Sequence, residues 1–402
     1  MLRTIISSYH TFDSTLTEEA VSGLNVSGLF AERQIIMVRK SALIWVMGIV
    51  CLAGCFESPS TISIGGARRI DTPAGMIEYL RNQNLPAVRT IEIWPNKYGD
   101  GLIINTEHYE IYTMLLEPLM LSQVPGFVES AYRGYQGQMP EPIETTAKFT
   151  VYLFADRRQW EDFTKTFAGP KAELFCKIKA GAYYLNGACV AYTIGRERTF
   201  SVLGHEGWHQ FNSRHFEFRL PSWLDEGVAM LFEVHRGEEG FFYFEPGRNV
   251  YRLGALKKTL DNNQMIPLKE LIAMDPGEVL AANQTEGLTA FYGQSYALVR
   301  FLREEDYGKR LHDYHRLLLD GLRGDWPLSD IGKKIAADRN IPLTVRWNRA
   351  VSTLLFKHYI DDDFEEIEKE YIAFCRKIVY PVRLKTQDPR HKTQDPGLKT
   401  QD

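Results

Sequence analysis

The sequence predicts an α+β fold, with a mixed sheet and two motif-bearing helices first and a mostly helical subdomain after. Three observations predict it. Phe149-Thr150-Val151-Tyr152-Leu153-Phe154 has the alternation of a strand and runs straight into a helical pattern over Arg157–Phe167. Two short signatures, His205-Glu206-Gly207-Trp208-His209 and Trp223-Leu224-Asp225-Glu226-Gly227, sit in consecutive helical stretches. From Leu253 onward, apolar residues recur at helical spacing in one segment after another.

The amino terminus reads as targeting sequence. Met37-Val38-Arg39-Lys40 is a short basic region, Ser41–Val50 is apolar, and Leu52-Ala53-Gly54-Cys55 has the pattern of a lipobox, so residues 37–54 are expected to be a lipoprotein signal peptide. The apolar run Ala42–Ala53 is too short to span roughly 30 Å of hydrocarbon. The expected membrane attachment is therefore acylation of Cys55, where two or three chains anchor stably and one is marginal. The signal and lipobox imply export to the cell envelope, and Phe56, not Asp, follows that Cys, which favours sorting to the outer membrane in a cell that has one. Residues 1–36 precede a complete signal and read as an upstream extension, with translation expected to start at Met37. Residues 55–84, Ser/Gly-rich over Glu57–Arg69, read as a tether.

Residues 85–250 are assigned to the α+β subdomain. Thr106–Ile111 reads as a strand and Leu115–Tyr135 as a helical region interrupted by Pro118 and Pro125. Ala180–Tyr184 and Val190–Ile194 read as a hairpin about Asn186-Gly187. The motif helices are expected over Thr199–Asn212 and Ser222–His235, with Ser222 and Asp225 forming a capping box, and Gly237–Asn249 as a loop. Residues 251–380 are assigned to the helical subdomain, with helices over Leu268–Met274, Gly293–Glu305, Gly308–Leu322, Ile331–Ala336, Val345–His358 and Phe364–Lys377. Residues 381–402 repeat Lys-Thr-Gln-Asp from Lys385, Lys392 and Lys399; this polar tail cannot bury a core and is expected to be disordered.

Composition narrows the function. A hydrophobic fraction of 44% can fill a core, while a net charge of -4 gives no electrostatic case for nucleic acid. Nothing in the sequence reports the oligomeric state. Cys176 and Cys189 flank Lys177–Ala188 and could pair in an oxidising compartment, but three free buried thiols, with Cys375, are the preferred reading.

His205 and His209 are four apart, so a helix presents both imidazoles on one face to a single metal ion. Glu206 lies one step round, placed to touch a metal-activated water without being a ligand. Zinc needs a third protein ligand and an open position, and Glu226, at the start of the next helix, can supply that ligand. His312 and His315, at i and i+3, read as a helix face, and His215 as a loop residue after the helix end.

Val202-Leu203-Gly204-His205-Glu206-Gly207-Trp208-His209-Gln210-Phe211, followed by Trp223-Leu224-Asp225-Glu226-Gly227-Val228-Ala229, resembles the gluzincin zinc metallopeptidases of the aminopeptidase N and thermolysin group. Between about Thr106 and Ile378 the chain looks most like the bacterial peptidase MA-like proteins. The resemblance implies a thermolysin-like zincin catalytic domain with one zinc ion on His205, His209 and Glu226. It makes Glu206 the general base of peptide hydrolysis. Phe291–Leu302 resembles the helix whose Tyr donates to the oxyanion, which implies Tyr292, with Tyr296 one turn on as its substitute. Asp225 or Glu233, the latter with a counterpart in the family, would orient the histidines.

One departure bears on substrate. Aminopeptidases carry an acid that grips the substrate amine in the strand before the zinc helix, and Tyr183 stands there instead. The strand residues Ala182, Tyr183 and Tyr184 can still pair with an extended peptide or protein substrate through the main chain, so an endopeptidase is expected, with aromatic side chains forming apolar subsites. The alternative is a non-catalytic, zinc-containing surface lipoprotein that binds peptides or envelope partners.

Overall fold

The structure is a computed structural model, and it describes residues 70–143, 145–178, 181–281 and 285–380. The leader, the lipobox with Cys55 and the Lys-Thr-Gln-Asp tail lie outside the described residues. The architecture is α+β, a six-stranded mixed sheet followed by helices.

The chain enters through helix α1 (Pro73–Arg81), capped by Thr72, whose hydroxyl accepts from the Gly75 amide at 3.2 Å. Strands β1 (Thr90–Asn96), β2 (Gly99–Asn105) and β3 (Tyr109–Thr113) form an antiparallel meander. Helices α2 (Pro118–Leu121) and α3 (Val124–Gln136) lead to β4 (Phe149–Phe154), then α4 (Arg157–Phe167) and the short α5 (Ala172–Phe175). A hairpin of β5 (Ala182–Leu185) and β6 (Ala188–Tyr192) completes the sheet, in the order β1-β2-β3-β4-β6-β5. β4 pairs in parallel with both β3 and β6. The hairpin turns on Asn186 (φ 50°) and Gly187 (φ 82°), the left-handed pair that matches strand twist.

Helix α6 (Arg196–His215) lies against the sheet on the side opposite α4. Phe149 meets Phe211 of α6 while Tyr152 meets Phe163 of α4, and odd and even strand positions face opposite ways. Gln210 fastens α6 to the sheet by donating to the carbonyls of Thr150 (2.9 Å) and Gly187 (2.8 Å). After α7 (Ser222–Ala229) and a 3-10 turn (Met230–Phe232) comes a second hairpin, β7 (His235–Glu238) and β8 (Phe241–Phe244). The rest is helical: α8 (Val250–Asp261), α9 (Leu268–Leu271), α10 (Pro276–Ala281), α11 (Thr285–Glu304), α12 (Leu311–Arg323), α13 (Asp330–Ala337), α14 (Val345–Tyr359) and α15 (Phe364–Val379).

Several boundaries differ from the sequence expectation. Helix α1 falls within the stretch read as tether, yet Met76 and Leu80 are buried in the core. β1 and β2 were not anticipated, because Pro95, Asp100 and the flanking glycines dilute their alternation. The strand expected at Thr106–Ile111 begins at Tyr109, because Thr106 caps the preceding turn and donates to Glu129 at 2.6 Å. Pro118 and Pro125 sit in the first turns of α2 and α3 and start helices rather than interrupt them. Helix α6 runs past both expected ends, so His215 is its last residue, not a loop residue. Helix α7 stops at Ala229, and Gly237–Asn249 holds much of the second hairpin. Among the described residues Cys176, Cys189 and Cys375 are all free; the latter two are buried and Cys176 is partly exposed.

Candidate metal centre

Helix α6 is assembled to bring polar groups inside. It starts at Gly195, whose φ of 92° is strained for a side-chain-bearing residue, and Thr199 closes the turn by donating to the Gly195 carbonyl at 2.9 Å. The helix is then buried without a break from Val202 to Asn212, which leaves His205, Glu206 and His209 no solvent to face. Two glycines permit such enclosure. A Cβ on Gly204 would lie 2.3 Å from the Phe232 carbonyl oxygen, and one on Gly207 would lie 2.4 Å from the Tyr135 hydroxyl.

Helix α7 delivers the acid. The expected capping box is not formed: Pro221 is the cap, Ser222 is already helical, and the Ser222 amide donates to Asn348 Oδ1 at 3.1 Å. The Asp225 carboxylate is turned inward instead. Helix α7 packs directly on α11, since a Cβ on Gly227 would stand 2.6 Å from the Ser295 carbonyl oxygen.

The result is a buried group of His205, His209 and Glu226, with one donor atom from each within 4.8 Å of the others. Glu226 Oε2 stands 3.4 Å from His205 Nε2, and its Oε1 stands 4.0 Å from His209 Nε2. The opposite edges of both imidazoles are held by acids. Glu233 Oε1 lies 3.0 Å from His205 Nδ1, and Asp225 Oδ1 lies 3.1 Å from His209 Nδ1. Holding Nδ1 in this way turns both Nε2 atoms toward Glu226. Asp225 Oδ1 also accepts from Trp208 Nε1 (3.0 Å) and Asn212 Nδ2 (2.6 Å), so three donors fix one oxygen.

The electrostatics are those of an acid-rich pocket. Burial would by itself disfavour a charged His205, but Glu226 and Glu233 against its two nitrogens raise its proton affinity well above that of ordinary histidine. Burial would likewise push Glu233 up, yet the charge and hydrogen bonds of Arg252 hold it low. Glu206 is pushed up to about 7, chiefly by burial, while the imidazoles pull the other way. Its two oxygens are buried and no side chain hydrogen-bonds to them, while the Tyr184 backbone pulls its proton affinity down.

These residues fit a divalent cation. Two imidazoles and a carboxylate are a donor set suited to zinc, both rings are oriented through Nδ1, and Glu206 is a buried acid with no side-chain hydrogen-bond partner beside them. The group is consistent with an H-E-x-x-H…E site of zincin type. Matched against models of known families and against curated proteins, the chain finds no counterpart.

The remaining candidates are distributed unevenly. Tyr292 is buried on α11 with its ring 5.4 Å from the Arg252 guanidinium, next to the residue that holds Glu233. Tyr296 donates its hydroxyl proton to the Pro246 carbonyl and accepts from Arg300 at 3.1 Å, a structural engagement. Strand β5 is an edge of the sheet, as a pairing strand needs to be. The Tyr183 ring, however, points inward between Trp160 and Phe175, with its hydroxyl 2.9 Å from Thr164 Oγ1, so it cannot form an apolar subsite. Sequence reasoning missed Arg252 and Asn249, which carry no motif; only the helix start at Asn249 marks them.

Proposed function

We propose that this chain is a zinc-dependent peptidase, an endopeptidase working at the cell envelope and tethered there by acylation of Cys55. The observation that carries the reading is Glu206. A buried carboxylate that no side chain hydrogen-bonds is costly to enclose, and a purely structural motif would have given it such a partner. Beside a histidine pair and a second acid, it is placed as a general base.

His205, His209 and Glu226 would hold the ion. When bound, zinc supplies Lewis acidity and makes water a competent nucleophile near neutral pH. Glu206, one step round the helix from His205, would take a proton from that water and return it to the leaving nitrogen. Tyr292 would donate to the oxyanion as the carbonyl is attacked. The edge of β5 would align an extended substrate by main-chain pairing, and no acid stands at Tyr183 to demand a free amino terminus.

One observation favours the second reading, a zinc-containing lipoprotein that binds without turnover. His205, Glu206, His209 and Glu226 are all shielded from solvent, so any substrate has to be admitted by a movement. The deciding experiment is metal analysis of purified protein combined with cleavage of amino-terminally acetylated peptides by wild type and Glu206→Gln. Stoichiometric zinc with internal cleavage lost in the variant supports the endopeptidase. Zinc without turnover supports the binding protein, and cleavage abolished by acetylation would make the enzyme an aminopeptidase.

A further inference from the structure

Arg252 is a buried cation at the first turn of α8, with only 1% of its surface exposed. Its guanidinium takes Glu233 in a fork, Nε to Oε2 at 2.8 Å and Nη2 to Oε1 at 2.5 Å. Asn249, the cap of the same helix, adds a hydrogen bond to Oε2 at 2.8 Å. The Glu233 oxygen held by Nη2 is the one that faces His205 Nδ1. The same guanidinium lies 5.4 Å from the centre of the Tyr292 ring on α11.

We propose that Arg252 is a positioning residue for the candidate metal centre: through Glu233 it fixes the rotation of the His205 ring, and it registers the Tyr292 helix against that ligand. The assignment rests on the zinc reading given above. The geometry demands a fork rather than a point charge. Glu233 closes the 3-10 turn that ends α7, and a planar two-donor group is what holds both of its oxygens at once. A salt bridge serving the fold alone would not require that its acceptor also meet a histidine ring nitrogen.

The test uses full-length protein and two readouts, zinc affinity by competition with a chromogenic chelator and the visible spectrum of the cobalt-loaded protein. Arg252→Lys keeps the charge and loses the fork. We expect it to fold, to bind zinc at least about tenfold more weakly, the usual range for lost outer-shell partners, and to show altered cobalt bands. Glu233→Gln should produce the same changes, and the double variant should be little worse than the worse single one, because both act on one linkage. If Arg252→Lys does not fold, Arg252→Met/Glu233→Met removes both charges together, which buried pairs commonly tolerate; the same weakening and spectral change are expected. Wild-type affinity and an unaltered cobalt spectrum in a folded variant would overturn the assignment alone. Wild-type protein that binds neither zinc nor cobalt would overturn the metal site, and the assignment with it.

Discussion

Asp225 and His209 are joined through a single oxygen: Asp225 Oδ1 lies 3.1 Å from His209 Nδ1 and also receives Trp208 and Asn212. The next residue, Glu226, reaches the other edge of the same ring. One turn of α7 therefore presents both an orienting acid and a candidate ligand to one histidine. Asp225→Asn should disturb the orientation while leaving Glu226 in place. We expect zinc affinity to fall about 10- to 100-fold, the range for outer-shell partners, with the thermal midpoint also lowered; competition titration and calorimetry measure the two.

His205→Ala, His209→Ala and Glu226→Ala should each abolish stoichiometric zinc at neutral pH. Each removes one of the donors that lie within 4.8 Å of one another. Metal content after dialysis is the measurement, and full occupancy in Glu226→Ala would exclude it as the third ligand.

Zinc uptake at neutral pH should release protons. Glu226 and Glu233 raise the proton affinity of His205 in the metal-free protein, and a ligand has to be deprotonated. Affinity should accordingly fall as pH falls through the near-neutral range. Titration calorimetry in buffers of differing ionisation enthalpy reads the proton count directly, and a count of zero would contradict the expectation.

Glu206→Gln should retain zinc and lose turnover by about 10²- to 10⁴-fold, the usual contribution of a positioned general base. It should also stabilise the metal-free protein at about pH 8, since the amide removes a buried carboxylate charge that no side chain hydrogen-bonds. Peptide cleavage and thermal melting distinguish the two effects.

Asp275 gives a pH-dependent stability effect. Its Oδ1 accepts from the Glu278 amide at 2.8 Å, its Oδ2 has no partner, and burial, with the Glu278 and Glu226 charges adding to it, raises the carboxyl from 3.8 to about 7. The folded protein thus keeps a proton that the unfolded chain gives up. Its contribution is fully present below about pH 4 and is lost as pH rises toward 7. Asp275→Asn should flatten that loss and be more stable than wild type at pH 7–8, by at most about 4 kcal/mol at 1.36 kcal/mol per pH unit. Urea melts of zinc-free protein at pH 5 and pH 8 provide the comparison.

The parts of the fold legible in the sequence are those with strong periodicity or a chemical motif. Phe149–Phe154 and Arg157–Phe167 fall where expected because burial and alternation agree there. In the group of His205, His209 and Glu226, helical spacing stacks the two histidines, and Glu226 was legible only through its pairing with that upstream motif. The rest depends on tertiary partners. Ser222 looks like a cap until Asn348, far along the chain, claims it. Tyr183 looks like an exposed strand residue until Trp160 and Phe175 enclose it. Arg252 has no local pattern, and its pairing with Glu233 is set by where the second hairpin returns the chain.

The contact between Gly207 and Tyr135 gives the H-E-x-x-H motif a hidden spelling rule. The first intervening position of this motif is nominally free, yet here the Tyr135 hydroxyl fills the space of its side chain while donating to the Gly204 carbonyl at 2.7 Å. Any side chain larger than hydrogen at 207 evicts that hydroxyl and strands the carbonyl it serves. Substitutions at the two sites are therefore coupled: Gly207→Ala should be tolerated better in a Tyr135→Phe background than alone. Sequences descended from the same ancestor should trade the two positions together or keep both.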